Sequence, residues 1–275
     1  MIEFWQHIPN HINPIALQIG LFQIRWYSLM YITAILCVSF LFYSLAKKYN
    51  ETSYLQNFFD LFNYSVVGVI IGARLGYVFF YNALYYIKHP LEIIWPYANG
   101  HFIGISGLSY HGGALGFILG IYLASAKYKL NFLNLLNRLV LLVPLGYTFG
   151  RLGNFLNLEL YGRATNSLLG MYFPTDPTNA LRFPSQLMEA CGEGLVLFAI
   201  LLYCNTQPKL RLIITPLYMI GYALARFIIE YFREPDSFQN LLFGVFSYGQ
   251  ILSVIMFVSG LVLIPIFNKY VNKKI

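Results

Sequence analysis

The sequence predicts an all-α fold: a polytopic membrane helix bundle of about seven transmembrane helices. The N-terminus lies outside, the C-terminus is cytoplasmic, and a small periplasmic cap covers one end. Three observations carry this. Charged residues make up 11% of the 275-residue chain and hydrophobic residues 58%, whereas a soluble domain carries about 25% charged residues and needs them to cover its surface. Apolar runs close to the ~20 residues that cross a bilayer as a helix recur along the chain. Basic residues collect in every second connection between those runs.

In chain order, residues 1–26 alternate polar and apolar positions and include Pro9 and Pro14. They read as an irregular or short-strand cap, without the basic cluster that opens a cleavable signal peptide. Trp26 and Tyr27 mark a membrane interface. Spans are expected near 27–46, 61–81, 108–126, 139–157, 185–204, 213–232 and 247–267. Two outer connections are long, 82–107 and 158–184, the second with Pro174, Pro177 and Pro184. The organisation expected is one membrane-embedded domain, 1–275, with 1–26 and 158–184 as extracytoplasmic parts.

Lys47 and Lys48, then Lys127, Lys129 and Arg138, then Lys209 and Arg211, then Lys269, Lys273 and Lys274 all fall on one side if the spans alternate. Positive residues mark the cytoplasmic side. Lys88, Arg163 and Arg182 lie on the other side, so the rule holds by majority. The net charge of +7 therefore reads as topology, and no nucleic acid is expected as a partner.

Arg74, Arg151 and Arg226 fall inside predicted spans, where an arginine costs about 2.5–3.5 kcal/mol at mid-bilayer. Their positions along inside-to-outside spans place them at one level, near the outer face. His111, at the start of an inward-running span, and Tyr27 share that level. Tyr222, Arg226 and Glu230 are spaced i, i+4, i+8 and form one stripe, with Arg233 seven residues beyond Arg226. Arg151 and Asn154 are i, i+3 neighbours. A blander reading stays open: Arg226 and Glu230 can neutralise each other, and arginines can snorkel to the surface.

Gly68, Gly72 and Gly76 repeat every four residues beside Arg74, as do Gly112, Gly116 and Gly120 beside His111. Such faces let helices approach closely. Cys37, Cys191 and Cys204 sit in apolar runs without CxxC spacing and read as small core residues. No zinc-site or catalytic-triad pattern is present, so neither a metal nor a cofactor is expected.

Guanidinium groups in a low-dielectric setting favour a bidentate anion such as phosphate. With apolar walls below it, that describes a phospholipid headgroup among membrane lipids. His111 can act as a general base, and Glu230 and Glu159 can orient the arginines or a hydroxyl-bearing headgroup. A transporter or flippase for an anionic lipid or solute is the competing reading. It commonly brings internal repeats and a mid-bilayer site, and no repeat is visible here.

The stretches "RWYSLMY" (25–31), "GARLGYVFFYN" (72–82), "YHGGALG" (110–116), "GRLGNFLNLELYGR" (150–163) and "YALARFIIEYFREPD" (222–236) together resemble the bacterial prolipoprotein diacylglyceryl transferase family. The resemblance implies transfer of the diacylglyceryl group of phosphatidylglycerol to the lipobox cysteine of prolipoprotein signal peptides, at the bacterial cytoplasmic (inner) membrane. It implies that Arg151 binds the lipid phosphate, with Asn154, Glu159 and Gly162 from the same signature. It further implies that Arg226 and Glu230 are site residues, with Tyr27 and Tyr222 beside them, and that His111 is a candidate base. Arg233 is grouped with the substrate-binding residues. Two positions depart from the family pattern: Leu158 stands where a glycine is expected, and Met188 where a tyrosine is common.

Overall fold

The computed structural model describes residues 2–20, 22–94, 97–98, 101–102, 107–234 and 246–271. Each long apolar run forms a helix. These are α1 (Trp26–Lys48), α2 (Phe58–Tyr81), α3 (Tyr110–Lys127), α4 (Phe132–Leu156), α5 (Ser185–Thr206), α6 (Ile214–Ile229) and α7 (Tyr248–Val271). At 1.5 Å per residue, five of them, α1, α2, α4, α5 and α7, are long and apolar enough to cross a membrane. The helices α3 and α6 are shorter, with 18 and 16 residues.

Helices α4 and α5 are irregular. In α4 the winding loosens at Leu141 and Leu142, ahead of Pro144, which has no N–H to donate into the preceding turn. The centre of α5, Ala190–Val196, is a π-helical segment, a feature that often accompanies functional positions.

The chain divides into two compact units. One comprises Tyr43–Leu136 and the other Met1–Phe42 with Asn137–Ile275. In the Tyr43–Leu136 unit, α2 and α3 pack along the two glycine faces. A Cβ on Gly72 would run into the Gly112 carbonyl oxygen, and one on Gly116 into that of Gly68. Backbone therefore touches backbone, as the four-residue repeats predicted. Ser109 caps α3 by accepting from the Gly112 N–H at 3.3 Å, a preferred N-cap arrangement.

Arg74 is 9% exposed and its partners are main-chain carbonyls. It donates to Glu92 at 2.6 Å, Ile93 at 2.8 Å and Gly107 at 3.3 Å, and lies 5.0 Å from the centre of the Tyr86 ring. It clasps the connection after α2.

In the other unit, the N-terminal residues form a short helix, Ile2–Gln6, and a hairpin of β1 (Ile15–Ile19) and β2 (Phe22–Arg25) that runs straight into α1. The 158–184 segment holds a two-stranded pair, Met171–Tyr172 with Leu181–Arg182. These two parts share a small core in which Phe155, Leu158, Met171 and Phe173 meet Trp5, Ile8 and Ile12. The Trp5 indole donates to the Leu169 carbonyl at 3.2 Å, and His7 stacks on Tyr172.

Arg138 departs from its reading as a connection charge. It lies inside α4, 4% exposed, and donates to Asn205 Oδ1 at 3.3 Å. Its neighbour Asn137 donates to the Leu212 carbonyl and accepts from the Thr215 amide and hydroxyl, each at 2.8 Å. This polar knot fastens the start of α4 to the end of α5 and the start of α6.

Candidate functional site

Three helices of the larger unit aim charge at one another. On α4, Tyr147, Arg151 and Asn154 are spaced i, i+4, i+7; on α5, Glu189 and Glu193 are four apart; on α6, Tyr222, Arg226 and the capping Glu230 follow in steps of four. Such spacings put each set on one helix face. A Cβ on Gly194 would collide with Thr148 Oγ1, so a glycine is required where α5 meets α4.

The geometry begins at Glu189, whose side chain is 2% exposed. One carboxylate oxygen, Oε2, lies 2.6 Å from Arg151 Nε, while Oε1 lies 3.5 Å from Arg226 Nη1 and 3.8 Å from Arg233 Nε. Glu193, with a fully buried side chain, sits 3.6 Å from Arg226 Nη1 and 2.6 Å from the Tyr147 hydroxyl. Glu230 takes the other end of Arg226 at 2.9 Å and accepts from the Ser247 hydroxyl at 3.0 Å.

The cations are less buried than the acids: 20% exposed for Arg151, 13% for Arg226 and 19% for Arg233. Carboxylates thus form the dry floor and guanidinium groups stand above them. Buried ions persist only when paired and hydrogen-bonded, and this floor supplies the pairing.

Arg151 is held on several sides. Besides Glu189, it donates through Nη1 to Asn154 Oδ1 at 3.3 Å and lies 4.8 Å from the centre of the Tyr147 ring, a cation–π distance. Asn154 donates in turn to Glu159 Oε1 at 3.0 Å, and the Glu159 carbonyl accepts from Gln186 Nε2 at 2.6 Å. This chain of contacts ties the residues after α4 to the start of α5.

Gly162 has a backbone reason to be glycine. A Cβ there would run into the Phe232 carbonyl oxygen and lie 2.9 Å from that of Phe183. Residue 162 forms an antiparallel bridge with Arg233, and Arg163 Nε donates to the Arg233 carbonyl at 2.8 Å. The 158–184 segment thereby fixes the main chain beneath Arg233.

Of the residues singled out in the sequence, Arg151, Asn154, Glu159, Arg226, Glu230 and Arg233 are joined by these contacts. The Tyr222 ring meets the Tyr147 ring edge-on at 5.9 Å, and Tyr27 on α1 packs against Gly153 of α4. His111 stands exposed on the first turn of α3, within the Tyr43–Leu136 unit. Glu189, Glu193 and Tyr147 were not singled out. Two acids four residues apart in an apolar span were the signal for the first two.

Apolar helices of membrane-crossing length, with a cluster of buried acids and arginines among α4, α5 and α6, define a multi-pass membrane protein with a charged site. The family model for prolipoprotein diacylglyceryl transferases matches residues 14–266. The phosphatidylglycerol–prolipoprotein diacylglyceryl transferase of Chlorobaculum tepidum is 43% identical over 273 residues, covering 95% of this chain and 93% of its own. That of Campylobacter jejuni is also 43% identical, over 98% of this chain and all of its own. That of Campylobacter lari is 42% identical over 95% of this chain and 96% of its own. The chain belongs to the prolipoprotein diacylglyceryl transferase family, and it is a transferase.

Proposed function

We propose that this protein transfers the diacylglyceryl group of phosphatidylglycerol to the lipobox cysteine of a prolipoprotein, the first step of bacterial lipoprotein maturation. The observation that carries this reading is the set of partly exposed guanidinium groups, Arg151, Arg226 and Arg233, standing on buried carboxylates in a chain of this family. Relatives named for phosphatidylglycerol and prolipoprotein support both substrates.

In this reading Arg151 and Arg226 hold the lipid phosphate, with Arg233, Tyr27 and Tyr222 lining the same headgroup region. Asn154, Glu159, Gly162 and Glu230 keep the arginines in place. The cysteine thiol gives up its proton and attacks as thiolate. Sulfur forms a bond to the glyceryl carbon that bears the phosphate. The carbon–oxygen bond breaks, its electron pair stays on the phosphate oxygen, and glycerol phosphate leaves with one more negative charge. Cations fixed in place stabilise that growing charge more than they stabilise the bound lipid. His111 is the proposed acceptor of the thiol proton, and an unchanged pH profile in His111→Gln would remove it from that role.

The setting proposed is the bacterial inner membrane, with seven spans, the N-terminus outside, the C-terminus cytoplasmic and the site facing the outer leaflet. Chain 1–275 acts as one membrane-embedded domain, with 1–26 and 158–184 as its extracytoplasmic cap. Purified protein incubated with labelled phosphatidylglycerol and a lipobox peptide should yield a thioether-linked product without added energy. Movement of intact lipid with no such product would overturn the reading in favour of transport.

A further inference from the structure

The ion-pair cluster contains more acid than its cations balance. Arg151, Arg226 and Arg233 face Glu189, Glu193 and Glu230, and Glu159 joins through Asn154. With every group ionised, the cluster is negative before any phosphate arrives. Such a charge state opposes an anionic ligand in a medium of low dielectric.

One phenol bears on this. The Tyr147 oxygen lies 2.6 Å from Glu193 Oε2 and 3.2 Å from Glu189 Oε2. A phenol has a single proton, so two full hydrogen bonds to acid oxygens need a second proton from one of the acids. The acids are not equivalent. Glu189 Oε2 is 2.6 Å from Arg151 Nε, the setting of an ionised carboxylate. Glu193 Oε1 has its nearest guanidinium nitrogen, Arg226 Nη1, at 3.6 Å, and it is buried without a hydrogen-bond partner among the described residues. A bare carboxylate oxygen in that position costs far more than the carbonyl oxygen of a neutral acid.

We propose that Glu193 is held as a neutral acid, donating its proton to Tyr147, which donates to Glu189. The inference rests on the reading of the site as one for an anionic lipid. The charged and titratable groups packed around it are Tyr147 and Arg151 from α4, Glu189 from its own helix, and Tyr222, Arg226 and Glu230 from α6. Arg233 lies beyond, on Glu189. Glu193 is a positioning residue: it acts through Tyr147 and Arg226, and its proton removes one negative charge from the site that the phosphate enters.

Infrared difference spectroscopy in H2O and D2O tests this on the purified full-length protein. Wild type at neutral pH should show the band of a protonated carboxyl group, and Glu193→Gln should lack it. The KM for phosphatidylglycerol in wild type should rise about tenfold as the pH climbs and the proton is lost. That is the scale for one charge roughly 10 Å away at an effective dielectric of about 20. In E193Q the KM should not follow pH. A wild type without the band, a band that survives in E193Q, or an E193Q whose KM at neutral pH falls about tenfold would each overturn the proposal. The last is what removing a genuine negative charge would do. If E193Q fails to fold, Tyr147→Phe, which removes the hydroxyl that accepts the Glu193 proton, should shift the carboxyl band, and an unshifted band would overturn the proposal. If wild type makes no thioether product, the functional reading fails while the infrared result stands by itself.

Discussion

Arg151 uses its side chain in several ways at once: an ion pair through Nε, a hydrogen bond through Nη1 and a stacking face on Tyr147. A lysine can reproduce the charge but not the planar fork or the stacking. Arg151→Lys should therefore lower kcat/KM for transfer by about 10²–10³-fold, the scale set by losing one preorganised donor. The protein should still insert and fold; near-normal turnover would remove Arg151 from the site.

Leu158 shows a different balance. Its φ of 57° lies in the region that favours glycine, which explains why the family pattern expects glycine there. Its side chain is 5% exposed in the cap core. Left-handed backbone costs a non-glycine residue about 1–2 kcal/mol, and burying a leucine offsets that by about 1.5–3 kcal/mol. Leu158→Ala keeps the strain and loses the burial, whereas Leu158→Gly loses both. Thermal unfolding should accordingly place wild type highest, Leu158→Gly below it and Leu158→Ala lowest.

Among elements, the 158–184 segment depends on a short polar clasp. Arg182 grips both oxygens of Asp176, at 2.7 and 3.2 Å, and Thr178 adds its amide and hydroxyl. Burial pushes the Asp176 carboxyl up, but the bonds from Arg182 and Thr178 outweigh it and hold the group down at about 2. An unfolded aspartate titrates near 3.9. The stabilisation is therefore complete above about pH 4–5 and disappears as the pH falls toward 2. Asp176→Asn should melt below wild type at pH 7, and the gap should close by about pH 2. A gap that persists at the lowest pH would contradict the clasp.

The long helices were legible because hydropathy follows span length directly. The buried floor was harder to read. Glu189 and Glu193 sit across the π-helical part of α5, and their significance comes from arginines on two other helices. Arg74 posed the opposite problem. Inside a span it looked like a sibling of Arg151, yet it donates to backbone carbonyls more than fifteen residues away, which side-chain spacing cannot reveal. Arg138 looked like a connection charge because the expected span began at 139, whereas α4 begins at Phe132.

At the scale of the whole chain, the segregation of basic residues predicts an orientation that can be measured directly. Reporter fusions after Lys48, Lys129 and Lys209 should show cytoplasmic activity, and a fusion within 158–184 should show extracytoplasmic activity. A fusion after Lys129 that reports from outside would break the alternation from which the depth of the arginines was deduced. The five spanning helices were readable in the sequence because hydropathy varies on the same length scale as the bilayer.

The glycine seam of α2 and α3 carries a mechanical consequence. Carbonyls on each rod press into notches on the other, so neither can slide or roll without driving a carbonyl oxygen into the facing backbone. The two rods behave as a single stiff plank. An added methyl at any of Gly68, Gly72, Gly112 or Gly116 would have to force the whole length of that plank apart.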